Sequence, residues 1–310
     1  MVDALPRIAS AFDEPFGNSS AVGVFHCARM AAEQGVPVLL AGDGGDELFG
    51  GSDEYVLMQK FDLYSRLPRS ARRALELALG AMPGGSRLSL VRRARSYVTR
   101  ASVPMPARMR TYEFLTPETC RDVFTSEFLG RVDVNGPVLT MDPIYARTDS
   151  TDVLQRQLHF ALHTIIAEND LRKVRRMCGS AGVEARFPLL DDRVIAFAAR
   201  IPPNVLVPHY HAREFYRRSL RDFLPRAIIA KEKHCFAHPV ADWLAAPTPL
   251  RAVAGDLLRE FAGRGIVRRE YVRTLLDDRR VIGTPHHAAL AWYMLVLEHW
   301  LRARGVTAWS

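Results

Sequence analysis

Apolar positions along the chain follow two rhythms. Between residues 21 and 34, Val22, Phe25, Ala28 and Met30 to Ala32 recur at helical spacing and Gly35 closes the run, which predicts a helix. Val36 to Ala41 is then continuously apolar and bounded by turn residues, as expected of a strand buried on both faces of a parallel sheet. The acidic, glycine-rich stretch Gly42-Asp43-Gly44-Gly45-Asp46-Glu47 follows at once, and Leu48 to Gly51 completes it. Helix, buried strand and glycine-rich loop are α/β grammar, and ligands of such sheets bind beyond the carboxyl ends of the strands. After residue 60 the period becomes helical, over 69–82, 88–100, 151–176, 191–200, 212–223, 249–262 and 286–303. Leu154, Leu158, Leu162, Ile165 and Ile166 form a stripe on the 151–176 segment that reads as core packing. Pro104, Pro106 and Asn135-Gly136-Pro137 mark loops. The expected architecture is one unit over 1–310, with an α/β part in 1–60, a mostly helical part in 61–310, and neither a linker nor an internal repeat.

Composition narrows the classes. A chain of 310 residues with 48% hydrophobic and 25% charged residues is ordinary for a globular protein and excludes a disordered tail, a collagen-like fibre or a coiled coil. The longest apolar run, Ala288 to Leu297, stops at Glu298 and falls short of the ~18 residues a membrane span requires, so it reads as a buried helix and no membrane association is expected. The first ten residues lack a basic segment followed by an apolar one, so no signal peptide is expected. Cys27, Cys120, Cys178 and Cys235 have no zinc-site spacing and make no disulfide scaffold, and the expected compartment is the reducing cytoplasm. The net charge of +8 comes from arginine, because the only lysines are Lys60, Lys173, Lys231 and Lys233. The arginines are scattered over helical segments with no interleaved aromatics, which favours solvated helix faces over nucleic-acid binding.

The 42–51 loop carries the most chemistry. Glycines let a backbone approach phosphate closely. Asp43 and Asp46 would repel a bare phosphate and make sense with magnesium between carboxylate and pyrophosphate. The competing reading is a strand-to-helix turn with acidic residues at a helix N-terminus.

These residues resemble a known family. LLAGDGGDELFGG, Leu39 to Gly51, is similar to the signature loop of the asparagine synthetases, in their C-terminal synthetase domain. Collinear resemblances continue at Asp13-Glu14-Pro15-Phe16, at Leu171 to Asp191 with its E-x-R-x-P-x-L-D ending, at Ala199 to Pro203, at Leu224 to Ile228, and at Lys233 to Leu244 (KHCFAHPVADWL). The resemblance implies an α/β ATP-pyrophosphatase (adenine nucleotide alpha hydrolase-like) fold with a parallel sheet. It also implies a reaction: ATP and magnesium serve to adenylate the side-chain carboxylate of aspartate, and ammonia then gives asparagine, AMP and pyrophosphate. By motif position, Asp43 handles the proton beside the acyl-adenylate. Asp46 is the magnesium–pyrophosphate carboxylate, and Gly42, Gly44 and Gly45 present backbone to the nucleotide. Glu184 helps to set the general base, with Arg186 pairing with it or with Asp191, and Lys233 contacts the α-phosphate. The Glu184–Arg186 pair reads equally as a structural ion pair.

Departures from the family pattern shape further expectations. No S-G-G-x-D-S-S pyrophosphate loop and no glutaminase domain with a terminal cysteine precede the matched region, so the chain is expected to be N-terminally truncated and its sheet to lack the first strand or strands. Arg175 stands where the family has aspartate, Cys178-Gly179-Ser180 replaces a serine–methionine–alanine run, and Cys235 replaces a glycine. His234, Cys235 and His238 are too few ligands for a closed metal site. Small molecules (ATP, aspartate or another carboxylate, ammonia) are the expected substrates, and a glutaminase or N-terminal partner chain the implied partner. The alternatives are a lasso-peptide-cyclase-like or β-lactam-synthetase-like ligase, a non-catalytic remnant, or one subunit of a split enzyme. Asp43 in place of a tyrosine argues against the β-lactam type.

Overall fold

The apolar run after Gly35 becomes strand β1 (Val38–Leu40), and its parallel partner β2 (Glu184–Arg186) comes from far along the chain. Val38 lies opposite Glu184 and Leu40 opposite Arg186. The computed structural model describes residues 2–82, 89–112, 114–116, 118–231 and 238–307. Among these the sheet has two strands, and the chain is otherwise mostly helical. That is the architecture of a small parallel sheet dressed with helices.

One face of the strand pair is covered. Leu39, Ala41, Ala185 and Phe187 pack against Ala28 and Ala31 of helix Ala21–Glu33 and against Val174 and Cys178 of helix Leu171–Ser180. The other face is open: Leu40 is 71% exposed, and Glu184 and Arg186 are exposed beside it. The expectation of burial on both faces is therefore corrected. An unbroken apolar run cannot by itself report how many layers cover it, and here a single helical layer does.

The helical predictions hold for Arg69–Ala81, Ser89–Ala101, Asp192–Ala198, Glu214–Leu220, Pro249–Gly263 and Pro285–Ala303. Asn135-Gly136-Pro137 does not mark a loop. It opens helix Gly136–Ala146 with Pro137 in the first turn, where a missing N–H removes no intrahelical bond. The 151–176 segment is α-helical over Val153–Ala161, π-helical over Leu162–Asp170 and α-helical again from Leu171 to Ser180. A π stretch closes its hydrogen bonds one residue later than an α-helix, so angular positions drift off the 3.6 period. Ile165, placed on the buried stripe by that period, is accordingly 39% exposed, while Ile166 is buried.

The largest core joins both ends of the chain. Leu5 and Ile8 of helix Ala4–Ser10, with Phe12, pack into a cluster with Leu258, Phe261, Leu275 and Leu295. The Trp300 indole N–H and the Arg304 guanidinium donate to the Phe12 carbonyl, at 3.2 Å and 2.9 Å. Glu298, which ends the apolar run, is only 2% exposed and is held by Arg264 Nε at 2.6 Å and Arg302 Nε at 2.7 Å. No helix among the described residues is long and apolar enough to cross a membrane. Asp13 and Glu14 pair with Arg172, and Asp13 also with Arg176 at 3.2 Å. The first segment is thereby tied to the helix behind the loop.

Candidate active site

The glycine-rich loop leaves the carboxyl end of β1, as the α/β pattern predicts. The Ala41 N–H donates to the Arg186 carbonyl at 2.8 Å, extending the strand pairing by one residue. The chain then turns through Gly44, at φ 91°, into the short helix Gly45–Phe49. A Cβ on Gly44 would lie 2.3 Å from Leu190 Cδ2, so both the backbone angle and the close packing demand glycine there. A Cβ on Gly45 would meet Leu189 at 3.2 Å, whereas one on Gly42 would meet nothing within 4 Å. Gly42 is therefore not required for packing. Asp46 folds back over Gly51: a Cβ on Gly51 would sit 2.0 Å from the Asp46 carboxylate. The Arg213 guanidinium secures the end of the loop by donating to the Gly51 carbonyl at 2.9 Å. Gly44→Ala is expected to destabilise the chain by about 1–3 kcal/mol through strain and the Leu190 contact. Urea denaturation of both proteins measures this, and an unchanged midpoint would contradict it.

Asp43 is half-buried, and burial raises its pKa above the ordinary carboxylate value. The nearby charge of Asp170 pushes it the same way, and Lys173 opposes both. Lys173 and Asp170 are themselves paired, Nζ to Oδ1 at 2.5 Å, with the lysine side chain 9% exposed. Glu47 is also raised, mainly by burial, while its backbone hydrogen bond opposes this; the charges of Asp46 and Asp170 raise it further. The Tyr55 hydroxyl donates to Glu47 at 3.4 Å, and burial raises the tyrosine's pKa. Three carboxylates (Asp43, Glu47 and Asp170) thus share a neighbourhood with one buried lysine.

A cavity of about 930 Å³ opens beside Glu47 and Leu48. Helix residues from Leu158 to Arg175 wall one side, and Arg186, Phe187 and Leu190 another. A second cavity, of about 810 Å³, is lined by Asn169 together with His238 to Ala241, the described end of the Lys233–Leu244 motif. Asn18 donates to Asn169 there, at 3.0 Å.

The predicted site residues therefore fall into three groups. Asp43, Asp46 and the glycines lie together on one loop. Glu184 stands on the open face of the sheet, bound by Arg186 at 2.9 Å and 3.2 Å, and this pair holds its carboxyl below the usual range. The carboxylate whose charge raises the Asp43 pKa is Asp170. Arg186 pairs with Glu184, while Asp191 instead caps helix Asp192–Ala198 by accepting from the Arg193 N–H and guanidinium, both at 2.9 Å. Lys233, His234 and Cys235 lie outside the described residues. Among the described residues no cluster of three or more histidine, cysteine or acidic side chains is placed to hold a metal ion.

Asp170 and Lys173 escaped sequence reasoning. Their signal was present: an Asp–Lys pair three apart on a helix can meet, and Lys173 is one of few lysines in an arginine-rich chain.

A family model described as asparagine synthase matches residues 1–302. The chain is 28% identical over 303 residues to a protein of Mycobacterium tuberculosis (strain H37Rv) named "Putative asparagine synthetase", glutamine-hydrolysing, covering 96% of this chain and 44% of that protein. It is 22% identical over 299 residues to glutamine-hydrolysing asparagine synthetase 1 of Bacillus subtilis (strain 168), covering 96% of this chain and 45% of that one. It thus spans less than half the length of these relatives.

Proposed function

The chain belongs to the asparagine synthase family, and from that premise we propose that it is the synthetase part of an ATP-dependent, AMP-forming carbon–nitrogen ligase. In the first step a carboxylate of the acid substrate attacks the α-phosphorus of ATP, and the bond to pyrophosphate breaks. In the second, ammonia attacks the acyl carbon, the C–N bond forms, a proton passes to Asp43, and AMP leaves. The observation that carries the reading is Asp43 itself: a half-buried carboxylate of raised pKa, at the carboxyl end of a parallel strand pair, beside a buried ion pair. A raised pKa makes a carboxylate a stronger base, which suits a group that must take a proton from the attacking amine.

The remaining roles follow from position. Asp170 and Lys173 set the charge that Asp43 feels. By motif position Gly42, Gly44 and Gly45 present backbone to the nucleotide; Gly42 has open space for it, while Gly44 and Gly45 also pack on Leu190 and Leu189. Lys233, by its motif position, balances charge on the α-phosphate, and the His238–Ala241 end of its segment reaches the cavity beside Asn169. Glu184 holds Arg186 at the rim of the larger cavity. Magnesium fits the donor chemistry, because it takes one or two carboxylates together with substrate phosphates and does not require an all-protein cage. Asp46 would hold it. When bound, it would supply charge neutralisation for the departing pyrophosphate.

The test is exchange of labelled pyrophosphate into ATP that depends on an added carboxylic acid, with aspartate and an apolar acid tried in turn. Exchange is expected with the intact chain and is expected to fall at least about 100-fold in Lys233→Ala. A second reading, in which a partner chain completes the enzyme, is favoured by the open sheet face at Leu40. Under it, exchange appears only when that partner is added. No exchange with any carboxylic acid under either condition would remove the ligase reading.

A further inference from the structure

We propose that the carboxylic acid taken by this site carries an apolar body larger than the aspartate side chain, seated in the 930 Å³ cavity with Arg175 meeting its anionic head. The inference rests on the ligase reading and concerns its substrate. The cavity has the size of a small-molecule site. Its walls are largely aliphatic, with Leu158, Leu162, Ile166, Leu190, Ile195 and Ala198 among them. A small amino acid with two carboxylates and an ammonium would leave those walls uncovered, whereas an apolar body would cover them and gain their burial. Arg175 is placed for an acid. Arg175 lines the cavity with its guanidinium 5.6 Å from the centre of the Phe187 ring, and among the described residues no carboxylate pairs with it. His159 lines the same wall, and its Nε2 is shut off from solvent without a hydrogen-bond partner. Its ring packs edge-on against His163, with centroids 4.5 Å apart. Apolar walls and an arginine with no carboxylate partner together describe a receptor for an amphiphilic acid.

Binding to the intact chain tests this without turnover. The probes are octanoate, 1-octanol and aspartate, titrated by calorimetry. Octanoate is expected to bind saturably and about tenfold more tightly than 1-octanol, a 1.4 kcal/mol difference supplied by the charged head. Arg175→Gln, at an exposed position, should erase that difference while leaving 1-octanol binding in place. Ala198→Trp fills the cavity and should weaken both ligands; if circular dichroism shows that this variant is unfolded, Arg175→Gln alone decides. Aspartate binding more tightly than octanoate would overturn the proposal, as would octanoate binding that Arg175→Gln leaves unchanged. Octanoate binding as expected, with no pyrophosphate exchange under any condition, would remove the ligase reading and leave the ligand class of the cavity standing.

Discussion

Asp43→Asn is expected to lower amide formation by about 100- to 10,000-fold while pyrophosphate exchange stays within a few-fold of the parent. The two readouts separate because the carboxylate is needed as a proton acceptor only when the amine attacks. Adenylation uses the phosphate-side groups. The same residue fixes two pH dependences of opposite sense. Burial, and then the charge of Asp170, raise the Asp43 pKa. The base form is therefore lost as pH falls through that raised value, and turnover falls with it. Stability runs the other way. A carboxyl whose folded pKa lies above its unfolded pKa holds its proton more tightly when folded, so its contribution to stability is lost as pH rises through the window between the two. Asparagine carries no such penalty. The variant should therefore be more stable than the parent above that window and equal to it below. Denaturation at pH 3 and pH 8, beside both activity assays, checks all of this. If exchange fell as far as amide formation, Asp43 would belong to the first step and not the second.

The parts of this site that can be read in sequence are those where one local pattern has one structural meaning. Gly44 follows a strand and precedes a helix, and it takes the positive φ that such a turn needs. The helices Ala21–Glu33 and Pro285–Ala303 bury one broad stripe each, so their periodicity survives folding. β2 was also legible in principle: Val183, Ala185 and Phe187 alternate with Glu184 and Arg186, and the two sets face opposite sides of the sheet. The π segment was not legible, because hydrophobic spacing assumes a constant period and Leu162–Asp170 does not keep one. Nor was the company of Asp43. Asp170 and Lys173 come to it from a helix far along the chain, and tertiary proximity of that kind leaves no mark on the local sequence around Gly42.

Lys173→Met is expected to cost about 3 kcal/mol of stability, the scale for removing one partner of a buried ion pair. The pair qualifies by its environment, since the lysine side chain is 9% exposed and that of Asp170 21%. Its loss would leave Asp43 with the charge of Asp170 but without that of Lys173, which, ahead of a backbone hydrogen bond, draws the Asp43 pKa back down. In the variant the Asp43 pKa should therefore rise further. By the same linkage, the variant's deficit should be largest at alkaline pH and shrink as pH falls and the carboxyl protonates. A double variant, Lys173→Met with Asp170→Leu, removes both the orphaned charge and its pressure on Asp43. It should be more stable than Lys173→Met alone, a non-additivity that two independent surface groups would not show. Urea denaturation of the parent, both single variants and the double variant at pH 5 and pH 8 supplies the whole cycle. Deficits that simply add, or that are equal at both pH values, would mean that the pair is a local helix contact with no hold on Asp43. Coupling with the expected sign would make Lys173 the residue that holds the Asp43 pKa down against burial and the charge of Asp170.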